Sequence, residues 1–175
     1  MEPDGQRLHT ELVNCGHHVT AIARTVGRIQ PLERTEAVQG DIEASDAPAK
    51  ILAGHDAVIS AVMFRTFDPE KLLGTVIASG VPRSLVVGGA GGLQVAPGVR
   101  FLDIPNFPEA ARGESEAGIA YHQRPRRTKG LDWTFPPRPA FLRLASGPTH
   151  SDLPPISCSS GQKAAASLMR ISQSP

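Results

Sequence analysis

Ser84-Leu85-Val86-Val87 is a short apolar run that passes directly into Gly88-Gly89-Ala90-Gly91-Gly92. A brief branched run closed by glycine is the pattern of a strand buried on both faces of a parallel sheet. Glycines at such an exit let another backbone or a flat ligand approach closely. In open parallel sheets, ligands sit beyond the carboxyl ends of the strands. The stretch alone leaves two readings open: a ligand-contacting turn, or a glycine-rich loop between buried elements.

The remaining segments supply the context. Gln6 to Asn14 has helical spacing of Leu8, Leu12 and Val13 and stops at Gly16. His17 to Ala23 and Ala37 to Gln39 read as strands, followed by a short helix over Glu43 to Ala53, with Ser45 or Asp46 as cap and Pro48 in its first turn. Asp56 to Val62 is the clearest strand. A helix begins at Asp68-Pro69, presents Leu72, Leu73, Val76 and Ile77, and ends at Gly80. Glu114 to Arg127 is helical in character, above all Ser115 to Gln123, and Leu131 to Phe135 is a further strand. Phe101 to Pro108 is irregular. Strands alternating with helices in this way imply a parallel sheet with right-handed crossovers, an α/β fold. The chain opens on a helix, where such folds usually open on a strand.

Bulk properties narrow the partners. With 18 basic and 17 acidic residues the net charge is +1, which argues against broad nucleic-acid binding. No apolar run is long enough to span a bilayer. The opening MEPDGQRLHTEL is too polar for a signal peptide, and a cytoplasmic location is expected. Cys15 and Cys158 have no metal-ligand spacing and are expected to be free thiols in a reducing compartment. Six prolines between Pro136 and Pro155 give that stretch a loop composition.

Six pieces in order resemble the NAD(P)H-binding, NmrA-like group of atypical short-chain dehydrogenases/reductases: Gly16–Arg24, Val38–Asp41, Leu52–Val62, Gly80–Leu93, Val95–Pro108 and Gly130–Phe135. The resemblance spans roughly Gly5 to Pro139. It implies a Rossmann-like, doubly wound parallel sheet over residues 1–139, and a divergent, poorly ordered tail over residues 140–175. Aligned to the family's G-x-x-G-x-x-G turn, the chain keeps only the last glycine, Gly5, and is expected to lack the first strand. In the family order 3-2-1-4-5 that strand is central. Its loss would leave Val19–Ala23 and Ala57–Val62 with facing unpaired edges, a cost of several kcal/mol. The gap would then be closed by those strands or filled by a partner strand, or the chain would be marginal. The tail carries one further local pattern, two turns of helix over Lys163 to Ile171.

The resemblance also implies roles. Gly5 would lie at the phosphates, Arg24 with Thr25 at the ribose 2′-phosphate, Asp41 and Ile42 at the adenine, Ser60 and Ala61 at the ribose, and Gly88, Gly89 and Ala90 beneath the nicotinamide. An arginine at that strand end favours NADP, with NAD as the alternative. Each has a plainer reading beside it: a solvated Arg24, a turn aspartate at Asp41, a buried strand serine at Ser60. Short-chain dehydrogenases often use Tyr-x-x-x-Lys, where the lysine lowers the tyrosine pKa. Tyr121 is the one tyrosine, but the position four later is Pro125, so the pair is broken. Tyr121 is a weak catalytic candidate. His17, His18, His55 and His122 read as structural or exposed, and no metal site is expected. The implied function is an NADP-dependent oxidoreductase passing a hydride to a small acceptor. The alternatives are a non-catalytic NAD(P)-binding regulator and an inactive truncated paralogue. The expected partner is a small-molecule substrate, with a homo-oligomer possible and neither nucleic acid nor membrane.

Overall fold

The computed structural model describes residues 4–43, 47–124, 130–136 and 166–168. Its helices are α1 (Asp4–Asn14), α2 (Ala47–Leu52), α3 (Pro69–Ser79) and α4 (Glu109–His122). Its strands are β1 (Val19–Ala23), β2 (Thr35–Gln39), β3 (Ala57–Ser60), β4 (Arg83–Val86), β5 (Gln94–Ala96), β6 (Val99–Arg100), β7 (Asp132–Thr134) and β8 (Ala166–Leu168). Six of them form one sheet in the order β2-β1-β8-β3-β4-β7, and every pairing in it is parallel. The α/β fold with a parallel sheet is the one expected.

The middle of the sheet departs from expectation. β1 and β3 neither face an empty gap nor close on each other. β8 lies between them, with Ala21 opposite Ser167 and Ile22 opposite Leu168 on one side, and Val58, Ile59 and Ser60 opposite Ala166, Ser167 and Leu168 on the other. The chain fills the position from its own late segment. This also corrects the helix expected over Lys163 to Ile171: three of those residues are strand. Two flanking strands that each need a ladder outweigh a weak local helix preference. The rest of the proposed tail lies outside the described residues.

Local chemistry explains the element ends. At the end of α1 the Gly16 amide donates to Val13 O at 2.9 Å and the His17 amide to Leu12 O at 3.0 Å, with Gly16 at φ 82°. That pair of bonds is the glycine helix stop the sequence predicts. α3 starts where Asp68 Oδ1 accepts from the Glu70 amide at 2.9 Å, with proline in the first turn, and ends at Gly80 with φ 71°. The expected caps of α2, Ser45 and Asp46, lie outside the described residues. α4 begins at Glu109, earlier than the pattern suggests, directly after Pro108. The antiparallel hairpin β5–β6 has no counterpart in the sequence reading.

Ile22, Leu52, Val58, Leu72, Val76, Val86 and Tyr121 form the main core. Of the α3 face, Leu72, Leu73 and Val76 are buried, whereas Ile77 is 51% exposed at the edge of the stripe. On α1 the buried line runs through Gly5 and His9, four residues apart, while Leu8, Leu12 and Val13 are half-buried. His9 Nε2 is 2.7 Å from Thr35 Oγ1, and its burial holds the imidazole pKa below the usual histidine value. On the other side of β1, His55 Nδ1 donates to Leu52 O at 2.9 Å and its Nε2 lies 2.9 Å from Thr20 Oγ1. His122 packs on Phe135 and Trp133. Cys15 is disulfide-bonded, counter to the free thiol expected. Distance in sequence does not decide a bridge; Cα separation in space does. Cys158 lies outside the described residues.

Candidate functional site

Because β1, β8, β3 and β4 are parallel, their carboxyl ends share one edge of the sheet. Arg24 and Thr25 leave β1 there, Ser60 and Ala61 end β3, and Gly88 follows β4. The start of α1 returns to the same edge, since Gln6 Nε2 donates to Arg28 O at 3.4 Å in the 3-10 turn (Val26–Arg28) after β1. Gly5 is buried in that first turn of α1. Gln39 at the end of β2 donates from Nε2 to Arg24 O at 3.2 Å, which brings the turn carrying Asp41 beside it. The topology thus gathers the sequence-derived positions along one edge, as it does for ligand sites in open α/β sheets.

The edge is not uniform. At the end of β3, Ser60 is 2% exposed and its Oγ has no hydrogen-bond partner among the described residues. An unpaired buried hydroxyl costs about 1–3 kcal/mol, and a polar ligand atom placed there would offset such a cost. Beyond it the chain turns through Phe64–Thr66. The Glu114 carboxylate of α4 anchors that turn, accepting from the Phe64 amide at 2.6 Å and the Arg65 amide at 3.2 Å. Sequence reasoning missed Glu114, because its partners lie some 50 residues away and leave no local signal.

At the end of β4 the glycines have another use. A Cβ on Gly88 would stand 2.0 Å from Phe135 Cε1, and one on Gly91 would stand 2.6 Å from Ser115 Cβ. The Gly88 amide also donates to Pro136 O at 2.9 Å. These two glycines let β7's exit and α4 lie against the loop. A Cβ on Gly92 would come within 3.2 Å of Ile119, again on α4, whereas one on Gly89 would meet nothing within 4 Å. Only Gly89 of the four faces open space, with half-buried Ala90 next to it.

The other positions divide similarly. Arg24 and Thr25 are exposed. Asp41 Oδ1 accepts from the Glu43 amide at 3.0 Å, an Asx turn. Ile42 is part of the main core. Gly40 is required by packing, since a Cβ there would be 2.6 Å from Ile22 Cγ2. Tyr121 is 2% exposed among Phe64, Phe67 and Phe135, and desolvation pushes its phenol up to about 12. A base-activated catalytic tyrosine needs the opposite shift. Pro125 and the basic positions after it lie outside the described residues. Among the described residues no cluster of histidine, cysteine and carboxylate could hold a metal, and no helix is long and apolar enough to cross a membrane.

Known proteins resemble this arrangement. A candidate exported protein from Burkholderia pseudomallei is 31% identical, with a TM-score of 0.67 over 78% of this chain and 67% of its own. A candidate epimerase from Bacteroides thetaiotaomicron is 29% identical, with a TM-score of 0.68 over 78% of this chain and 66% of its own. A candidate NADH-flavin reductase from Streptococcus pneumoniae is 30% identical, with a TM-score of 0.58 over 78% and 67%. The chain therefore spans about two thirds of the length of these structures. No curated protein matches the sequence. The family model for NAD(P)H-binding proteins matches residues 5–150, and the chain belongs to that NAD(P)H-binding family.

Proposed function

We propose that this chain is an NADP-dependent oxidoreductase of the NmrA-like type, with its nucleotide along the carboxyl edge of the sheet. The observation that carries the reading is the buried, unpartnered Ser60 Oγ at the end of β3, within a chain matched over residues 5–150 to an NAD(P)H-binding family. Arg24 and Thr25 would hold the 2′-phosphate, Ser60 and Ala61 the ribose, and the Asp41 carboxylate the adenine. Gly89 and Ala90 would lie beside the nicotinamide, with Gly88 shaping that side through Phe135. Gly5 would bring the first turn of α1 towards the phosphates. The bound cofactor supplies a hydride, and the protein supplies position and electrostatics. The similarity to a candidate NADH-flavin reductase supports reductase chemistry on a small acceptor.

A second reading, a non-catalytic NAD(P)-binding regulator, is favoured by Tyr121. With its phenol pushed up to about 12, the side chain stays protonated at neutral pH and is not available as a base. Titration of the full chain with NADPH and NADH, followed by energy transfer from Trp133, tests both readings together with turnover of quinone, flavin and carbonyl acceptors. The oxidoreductase predicts saturable NADPH binding with turnover, and a loss of about tenfold or more in NADPH affinity in Arg24→Ala with NADH little changed. Binding without turnover points to the regulator. No binding at millimolar nucleotide overturns both and leaves the inactive paralogue. As for location, the cytoplasm expected from the polar opening residues stands against the disulfide at Cys15 and the similarity to a candidate exported protein. Alkylation of the protein in freshly lysed cells decides it, since a cytoplasmic protein presents Cys15 as a thiol.

A further inference from the structure

We propose that α4 sets the span between the exits of β3 and β4 that the cofactor bridges, and that Glu114 is the positioning residue of that span. The proposal rests on the nucleotide reading above, which supplies the ligand. It adds a residue that acts on the ligand through the backbone it holds.

α4 grips the two exits with adjacent faces. Positions four apart on a helix share a face, and the next position along lies about 100° round. Glu114 and Gly118 meet the turn after β3. The Glu114 carboxylate accepts from the Phe64 amide at 2.6 Å and the Arg65 amide at 3.2 Å, and a Cβ on Gly118 would stand 3.1 Å from Phe64 Cδ2. Ser115 and Ile119 meet the loop after β4. A Cβ on Gly91 would stand 2.6 Å from Ser115 Cβ, and one on Gly92 3.2 Å from Ile119 Cγ1. The two exits are thus tied to one another through a single helix as well as through the β3–β4 pairing.

Glu114 is the polar part of this grip. Among the described residues it makes no ion pair, so its carboxylate serves the two amides. Charge-assisted bonds of this kind are short and directional, and they fix a turn more sharply than apolar packing does. The turn starts at Phe64, four residues after Ser60. Displacing it therefore moves the β3 exit relative to Gly89 and Ala90 at the β4 exit. Arg24, Thr25 and Asp41 follow β1 and β2, on the far side of β8 from α4's two exits. NADPH would span both sides. Adenosine 2′,5′-bisphosphate lacks the nicotinamide and its ribose and would not reach the β4 exit.

Calorimetric titration of the native chain, Glu114→Gln and Glu114→Ala with NADPH and with adenosine 2′,5′-bisphosphate tests this, with circular dichroism checking the fold of each. Glu114→Gln keeps the side chain's size and one acceptor oxygen, and Glu114→Ala removes both oxygens. NADPH affinity should fall about threefold or more in Glu114→Gln and about tenfold or more in Glu114→Ala, with bisphosphate affinity kept within about twofold. A merely structural role lowers the binding-competent fraction and weakens both ligands by the same factor. Equal loss for the two ligands therefore overturns the positioning role. So does unchanged NADPH affinity in the variants, and in both cases the nucleotide reading stands. If Glu114→Ala does not fold, Glu114→Gln decides alone. NADPH binding without bisphosphate binding in the native chain overturns the division of the site on which the inference rests. Absence of NADPH binding to the native chain overturns the inference and the nucleotide reading together.

Discussion

The ends of β3 and β4 lie side by side on the same edge, yet they are built for different purposes. After β4 come four glycines in five residues, the loudest signal in the chain. Two of them are taken up by Phe135 and Ser115, and a third lies close to Ile119. After β3 there is no glycine, only a serine in an apolar run, and its hydroxyl is the buried side-chain polar atom left without a partner among the described residues. Glycine reports that something comes close to the backbone, and here that something is mostly the protein itself. A buried hydroxyl without a partner among the described residues is a stronger pointer to a ligand, because buried polar atoms are ordinarily hydrogen-bonded.

The contrast can be broken most severely at Gly88. In Gly88→Ala the new methyl overlaps the Phe135 ring, and a loss of about 1–3 kcal/mol in chemical denaturation is expected, with much of it recovered in Gly88→Ala/Phe135→Ala relative to Phe135→Ala alone. Ser115→Gly should rescue Gly91→Ala in the same way. Ser60→Ala should go the other way: the free protein gains up to about 1 kcal/mol, because an orphaned hydroxyl is removed, while NADPH binding weakens. Gly89→Ala, with open space around it, should change stability by less than about 0.5 kcal/mol. It sharpens the comparison by separating the one glycine free of packing from its neighbours.

A smaller effect comes from the opposite edge. His9 is held neutral by burial, so its folded-state pKa lies below the unfolded value of about 6.5. The unfolded chain takes up the proton first. The contribution of neutral His9 is thus complete above about pH 6.5 and is lost as pH falls below it towards the depressed folded value. Denaturation midpoints across pH 5 to 8 should show this loss, and His9→Gln should flatten it.

Much of the fold was legible because its signals are local. Gly16 and Gly80 stop helices, Asp68 caps α3, and the runs around Val58 and Val86 form buried strands in the order in which they were read. Of the candidate site only the placement was legible: Arg24, Ser60 and Gly88 do come to one edge, since parallel strands require it. What was not legible is long-range. Glu114 anchors the turn after β3 from a distant helix, Phe135 claims Gly88, and Ala166–Leu168 becomes the central strand through pairings with β1 and β3 that no local propensity encodes. Tyr121 lies in the expected helix, but its aromatic surroundings, gathered from two other segments, bury its phenol and raise its pKa.

The central claim is that the end of β3 holds the nucleotide, and calorimetric titration of NADPH into the native chain and into Ser60→Ala tests it most directly. The account predicts saturable binding to the native chain and an affinity at least about fivefold lower in Ser60→Ala, although the variant is no less stable. Equal NADPH affinity in the two proteins would contradict it.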